Sequence, residues 1–157
     1  MIIRKMQECD ILGVSKIHTA AFPRQAHSEL WITCNFRAYP RMRYFVIEDK
    51  EEILGYILWT EKSGFRKEVI MELEQIAVLP SHQKRGIGSS LITQSLIMIK
   101  EELKLREAAI KTILVSTRTD NEAQKLYKKL LDAQPEIVIS NLFSSDEVLM
   151  IARNPAI

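Results

Sequence analysis

The sequence predicts an α/β fold in which a mixed, single-layered sheet is covered by helices, all within one domain spanning residues 1–157. Three observations lead there. Apolar residues at Ile92, Leu96, Ile99 and Leu103 repeat at helical spacing through the stretch 86–105. That helix is flanked by strand-like runs, an alternating one at 69–78 and a β-branched one at 111–117. The 157 residues, 46% hydrophobic and 27% charged, suffice for one buried core, and no repeat, low-complexity tract or Gly/Ser linker divides them.

The remaining elements follow in chain order. Ile2, Ile3 and Arg4 open a short strand. Asp10 stands where a helix cap is wanted, and Ile11, Val14, Ile17 and Ala21 then fall on one face of a helix that Phe22-Pro23 ends. Ser28 begins a shorter helix carrying Leu30, Trp31 and Phe36; it stops before Pro40 because the residue preceding a proline is pushed out of the helical region. From Tyr44 the period changes, and the runs 44–48 and 54–60 flank the charged turn Asp49-Lys50-Glu51-Glu52 as a hairpin. In the run 69–78 a regular strand puts Glu72 and Glu74 on one face. After the long helix come the strand 111–117, an amphipathic helix over 120–131, and a closing pair of strands at 137–139 and 148–151.

Composition excludes several function classes. With 22 Lys+Arg against 20 Asp+Glu the net charge is +2, which gives no broad basic footprint for nucleic acid. No apolar stretch approaches the roughly 20 residues of a membrane span, and the N-terminal residues Gln7, Glu8 and Asp10 interrupt any signal-like pattern. Cys9 and Cys34 lack the spacing of a metal knuckle or a disulfide framework, so they are expected as reduced thiols in a cytoplasmic protein. His18 and His27 give no ligand-like spacing, and no metal is expected.

The chemistry is concentrated in Gln83-Lys84-Arg85-Gly86-Ile87-Gly88-Ser89, between a strand and the long helix. A helix start exposes unpaired N–H groups and a partial positive charge, glycines let the backbone approach an anion, and Lys84 and Arg85 add full charges. The segment suits a pyrophosphate. It is neither a Walker loop, lacking Gly-Lys-Ser/Thr, nor the three-glycine dinucleotide fingerprint, having only Gly86 and Gly88.

Together with the preceding Leu73-Glu74-Gln75-Ile76-Ala77-Val78-Leu79-Pro80, this segment resembles the acyl-coenzyme A motif of the GNAT N-acetyltransferases. The order of elements is similar over essentially the whole chain. The resemblance implies a mostly antiparallel sheet split between its fourth and fifth strands, here 69–78 and 111–117, with acetyl-CoA as co-substrate. It implies that the pantetheine arm pairs with the fourth strand at Ile76 and Val78 much as an added strand would. It also implies that the backbone from Arg85 through Ile87 and Gly88 to Ser89 holds the pyrophosphate, with Gln83 and Lys84 at its edge.

The stretch Asp120-Asn121-Glu122-Ala123-Gln124-Lys125-Leu126-Tyr127 resembles the family's Asn-x-x-Ala-x-x-x-Tyr helix. With Ala123 and Tyr127 aligned, the asparagine slot holds Asp120 and Asn121 comes one place late, so either of the two is the candidate cofactor contact. The family's Gly-Phe after this helix is replaced by Leu131-Asp132, which implies a different turn.

A lysine-like amine, with a pKa of about 10.4, must lose a proton before it attacks a thioester. Glu72 and Glu74 are the candidate bases, Glu72 matching a position where some family members carry the glutamate that accepts the proton. A backbone N–H near Ile76, Ala77 and Val78 is suited to the developing oxyanion, and Tyr127 to protonating the departing thiolate. Both carboxylates also suit a solvated sheet face paired with Lys or Arg, and Tyr127 also suits a core position with its hydroxyl satisfied elsewhere. His82 reads as a surface residue, and Phe22, Trp31, Phe36 and Tyr39 as core rather than an acceptor cage.

The expected acceptor is a primary amine on a small molecule or peptide. The competing reading is a catalytically silent acyl-CoA-binding regulatory module; a nucleotide-phosphate binder is disfavoured by the absent signature residues. The C-terminal strands can pair across a two-fold axis, so a homodimer is expected.

Overall fold

The computed structural model describes residues 1–156. Its elements are β1 (Ile2–Lys5), α1 (Ile11–Ala21), α2 (Ser28–Arg37), β2 (Met42–Asp49), β3 (Glu52–Lys62), β4 (Glu68–Val78), α3 (Ile87–Lys104), β5 (Ala109–Arg118), α4 (Ala123–Leu131), β6 (Gln134–Ile139) and β7 (Glu147–Arg153). This is the predicted order. The strands form a seven-stranded sheet in the order β1-β2-β3-β4-β5-β7-β6. The β4–β5 pair is parallel, while β1–β2, β2–β3, β5–β7 and β6–β7 are antiparallel. The chain divides into two compact units, residues 1–60 with 75–95 and residues 61–74 with 96–157.

In the first unit, α1 and α2 pack on β2 and β3 through Ile11, Val14, Ile17, Ile32, Met42, Tyr44, Tyr56 and Leu58. The buried stripe of α1 is completed by Ser15 and His18, not by Ala21, which is exposed. On α2 the buried residues are Ile32 and Asn35, whereas Leu30 and Trp31 are 63% and 42% exposed. Trp31, and likewise Tyr39 at 54% exposed, thus stand outside the core expected for them. Asp10 precedes α1 but makes no side-chain cap. Its carboxylate instead accepts from the Gln7 N–H at 2.7 Å and from Arg4 at 2.7 and 3.0 Å, and Arg4 reaches Glu48 on β2 at 2.6 Å. Burial opposes ionisation of Asp10, but the Arg4 guanidinium and the Gln7 N–H outweigh it and hold the carboxyl below its ordinary value.

The hairpin is longer than predicted, with Asp49 paired to Glu52, so its loop is the two residues Lys50 and Glu51. Both have positive φ, 48° and 66°, as a two-residue turn matched to strand twist requires, although neither is the Gly, Asn or Asp that usually fills it.

In the second unit, α3 contributes Leu96, Ile99 and Leu103, and α4 contributes Tyr127 and Leu131, all buried with Ile113, Val115, Val148, Met150 and Ala152 of the strands. The β4–β5 ladder runs from Glu68↔Ala109 to Leu73↔Val115 and ends there, although β4 continues to Val78 and β5 to Arg118. The buried Glu61 carboxylate is held by Arg106, whose guanidinium stacks 5.0 Å from the Phe65 ring.

Helix α4 ends at Leu131 with Asp132 in the left-handed region at φ 55°. The Asp132 N–H returns to Lys128 O (3.1 Å) and the Ala133 N–H to Tyr127 O (3.3 Å), the paired closure that glycine normally makes. The different turn expected from Leu131-Asp132 is not found: the aspartate takes the conformation that a glycine would take.

Among the described residues no helix is long and apolar enough to cross a membrane. Cys9 and Cys34 are exposed and free.

Candidate functional site

The predicted site residues divide between the two units. Strand β4 belongs to both, residues 68–74 to the second and 75–78 to the first, and alternates regularly from Glu68 to Val78, with Val69, Met71, Leu73, Gln75 and Ala77 buried and the residues between them half-buried. Strand period therefore puts Glu72 and Glu74 on one face, as predicted, and likewise Ile76 with Val78 at the strand's end. Ala77 lies on the opposite, core-facing side, so only its backbone is available to a ligand.

A single 3-10 turn, Pro80–His82, follows β4. The Leu79 N–H donates to Leu54 O at 2.8 Å, and Gln83 Nε2 donates to Val78 O at 3.0 Å, so the loop is tied back onto the strand end. Gln83 thus acts as a brace for the loop. Next come Lys84 at φ 60° and Gly86 at φ 78°. A Cβ on Gly86 would meet nothing within 4 Å, so glycine is wanted there for conformation rather than for space. Lys84 holds the same region without that freedom, the kind of strain that collects at ligand-binding turns.

Ile87, 3% exposed, anchors the loop in the core, and the Ser90 N–H makes the return bond to Gly86 O at 3.0 Å. The N–H groups of Ile87, Gly88 and Ser89 are then the helix's first donors, which have no carbonyl one turn back. With the exposed cations Lys84 and Arg85 beside them, these donors can hold a phosphate group. His82 is half-buried and shares a 2.9 Å hydrogen bond with Ser81 Oγ.

Two features of the first unit were missed. Gly55 on β3 faces the end of β4 so closely that a Cβ would lie 2.8 Å from Ala77 O and 3.3 Å from Val78 Cα. An isolated glycine inside a strand run was the available signal. His18, fully buried, joins a polar chain: its Nδ1 meets Ser28 Oγ at 2.8 Å, its Nε2 meets Gln75 Nε2 at 3.3 Å, and Gln75 Oε1 accepts from Tyr56 OH at 3.2 Å. Burial lowers the His18 pKa from 6.5, and raises that of Tyr56. A groove of about 700 Å³ between α1 and α2 holds none of the predicted site residues.

In the second unit the Tyr127 side chain is 4% exposed, and burial pushes its phenol up to about 12. Among the described residues its hydroxyl has no hydrogen-bond partner, unlike the buried Tyr56. Asp120 and Asn121 lie in the turn before α4, which starts at Ala123 rather than at Asp120. Asp120 is clamped by Arg118 at 2.9 and 2.8 Å, which lowers its pKa. Asn121 donates to Thr117 Oγ1 at 2.8 Å and accepts from the Ala123 N–H at 2.9 Å, so its amide closes the start of the helix. Glu72 is paired with Lys62 at 2.7 Å, and Glu74 is half-buried.

Comparison with known proteins gives one consistent picture. A profile described as an acetyltransferase (GNAT) domain matches residues 40–130, more than half of the 157. No curated protein matches the chain in sequence. Among solved structures, the chain is similar to Ard1 from Thermoplasma volcanium (21% identity, 96% of this chain and 95% of that one, TM-score 0.78). It is also similar to the ribosomal-protein-S18-alanine N-acetyltransferase of Escherichia coli (20%, 99% and 95%, TM-score 0.75). Arabidopsis thaliana NAA60 in complex with acetyl-CoA is a third (16%, 98% of each chain, TM-score 0.77). At such identities the likeness to these three is one of fold.

Proposed function

Since the chain belongs to the GNAT acetyltransferase family, we propose that its residues 1–157 act as one cytoplasmic N-acetyltransferase domain, moving an acetyl group from acetyl-CoA to a primary amine by direct attack in a ternary complex. The acceptor is an amine on a small molecule or a peptide. Acetyl-CoA, when bound, supplies an activated thioester carbonyl. The chain's own residues bind, orient and move protons around it.

The N–H groups from Arg85 to Ser89, with Lys84 and Gln83 at the edge, take the pyrophosphate. The open edge of β4 at Ile76 and Val78 takes the pantetheine amides, and a backbone N–H between Ile76 and Val78 steadies charge developing on the carbonyl oxygen. Either Glu72 or Glu74 accepts the proton lost by the amine. For Glu72 this means leaving its ion pair with Lys62. Tyr127 gives its proton to the departing sulfur. No metal takes part in this reading, and no group of His, Cys, Asp and Glu among the described residues is arranged to hold one.

The observation that carries the reading is the Tyr127 phenol, buried and protonated through the physiological range, with a hydroxyl that the described residues leave unbonded. A second reading, a silent acyl-CoA-binding module, draws on Asp120, Asn121 and Glu72, all engaged by their own chain. Thiol release from acetyl-CoA against peptide N-termini, lysine peptides, polyamines, aminoglycosides and amino acids separates the two, with cofactor binding measured in parallel. Turnover that falls in Tyr127→Phe while binding persists supports catalysis. Binding without turnover on any amine favours the silent module, and absence of binding rejects the assignment of the 83–89 loop.

A further inference from the structure

Gly55 lies inside β3, where a glycine weakens the strand and so calls for a local reason. The reason is the end of β4. A Cβ at Gly55 would lie 2.8 Å from Ala77 O and 3.3 Å from both Val78 Cα and Val78 Cγ2. The nearest of these atoms is a backbone oxygen, so no side-chain rotation could make room for it. Beside Gly55 the β2–β3 register shifts: Ile47 faces Gly55 and Glu48 faces Ile53, which leaves Leu54 as the extra residue of a bulge. The Leu54 carbonyl accepts from the Leu79 N–H at 2.8 Å. Bulge and bare Cα together bring β3 against the last residues of β4.

The directions of the backbone groups give this contact its consequence. In an extended strand the N–H groups of successive residues point to opposite edges. The Leu79 N–H points to β3, so the Val78 N–H points to the other edge of β4. The planar trans peptide joining Ala77 to Val78 requires the same: with the Ala77 oxygen against Gly55, the Val78 N–H is directed away from β3. On that edge the ladder to β5 has already ended, at Leu73. Of the Val78 backbone groups, the carbonyl accepts from Gln83 Nε2 at 3.0 Å, which leaves the N–H as the donor on offer there.

We infer that Gly55 is a positioning residue: its bare Cα lets the Ala77 carbonyl lie against β3, and this turns the Val78 N–H toward the pantetheine arm, to which it donates. The inference rests on the proposed binding of acetyl-CoA along β4 and adds to it which donor is used and what aims it. A side chain at position 55 pushes the Ala77–Val78 peptide off β3, and because the peptide is rigid its N–H tips with it. The nucleotide half of the cofactor is held at the start of α3, which the buried Ile87 anchors separately. One methyl group at position 55 therefore acts on the arm and not on the nucleotide.

The test is calorimetric titration of the full chain and of Gly55→Ala with two ligands, acetyl-CoA and phosphoadenosine diphosphate, which is the nucleotide half of coenzyme A without its arm. Partial unfolding lowers the apparent affinity for both by the same factor, so their ratio isolates the geometry. Gly55→Ala is expected to weaken acetyl-CoA by about tenfold, the upper range for one hydrogen bond, and the nucleotide by no more than about twofold. In the wild type, exchange of the Val78 N–H is expected to slow on saturation with acetyl-CoA and to stay unchanged with the nucleotide alone. Where thermal melts show the variant unfolded, this exchange decides the matter by itself. Equal weakening of both ligands in a folded variant would assign Gly55 to the fold alone and overturn the inference. Unchanged affinities, or a Val78 N–H equally open with either ligand, would overturn it too, with the nucleotide site left standing. A wild type that binds neither ligand would reject the reading of the 83–89 loop and the inference with it.

Discussion

The 83–89 loop and the turn before α4 are the two stretches that resemble acyl-coenzyme A motifs, and they treat their polar groups in opposite ways. The loop spends one side chain, Gln83, on bracing itself and leaves the first N–H groups of α3 without a helical acceptor. The turn spends nearly everything. Asp120 is taken by Arg118, and Asn121 is taken by Thr117 and the Ala123 N–H, leaving Tyr127, one turn further on, as the group in hand. Residue letters at matching positions are therefore worth different amounts. At a backbone site the fold supplies the donors; at a side-chain site the donor has to be spared by its neighbours.

The sharpest way to test this contrast is Tyr127→Phe, which removes one oxygen from a buried ring. It is expected to lower kcat by about 10²-fold, the lower range for a proton donor, with the KM for acetyl-CoA unchanged. A change smaller than threefold would assign Tyr127 to the core alone. Because its phenol lies at about 12, no alkaline loss of activity below about pH 10 should come from Tyr127.

Gly86→Val comes next, since a β-branched residue at φ 78° strains the loop by roughly 1–2 kcal/mol. Calorimetry is expected to show acetyl-CoA affinity down by about tenfold, and unchanged affinity would mean the loop is not the anion site. Asn121→Ala is expected to do the reverse, costing about 1 kcal/mol of stability in urea unfolding, as a lost helix cap does, while affinity holds within about twofold. A large loss of affinity would restore Asn121 as a cofactor ligand.

His18 supplies a pH dependence. Its folded pKa lies below 6.5, so the unfolded chain binds the proton first; the stabilisation is complete above pH 6.5 and is lost as pH falls. Unfolding midpoints between pH 7 and pH 5 (about two units, spanning the ordinary imidazole range) should fall less steeply in His18→Gln than in the wild type. The smallest effect is Asp132→Gly, expected to gain up to about 1 kcal/mol by relieving the left-handed turn while leaving kinetics untouched.

The fold was legible where period and punctuation agreed. Every predicted strand and helix is present, because alternation in 69–78 and the four-residue spacing of Ile92, Leu96, Ile99 and Leu103 are imposed by burial itself. Legibility failed where a polar residue took an apolar position or the reverse. His18 completes the buried face of α1 because Ser28 and Gln75 satisfy its ring, and Leu30 and Trp31 remain outside because Ile32 fills the core. The tight turn before α3 was readable from Gly86, which sits at φ 78°, whereas the role of Gly55 depends on how near the end of β4 comes, a distance that strand letters do not carry. Asp120 and Asn121 could not be ranked from sequence because their partners, Arg118 and Thr117, lie on β5 and reach them only through the turn.

The central claim is that backbone donors at the start of α3 hold the phosphates of acetyl-CoA. The most direct measurement is a titration of the protein with acetyl-CoA followed by amide nitrogen–proton NMR. Saturable shifts largest at residues 84–89, with small ones at Asp120 and Asn121, are the expected result. No saturable binding, or shifts centred on Asp120 and Asn121 with the loop unmoved, would contradict it.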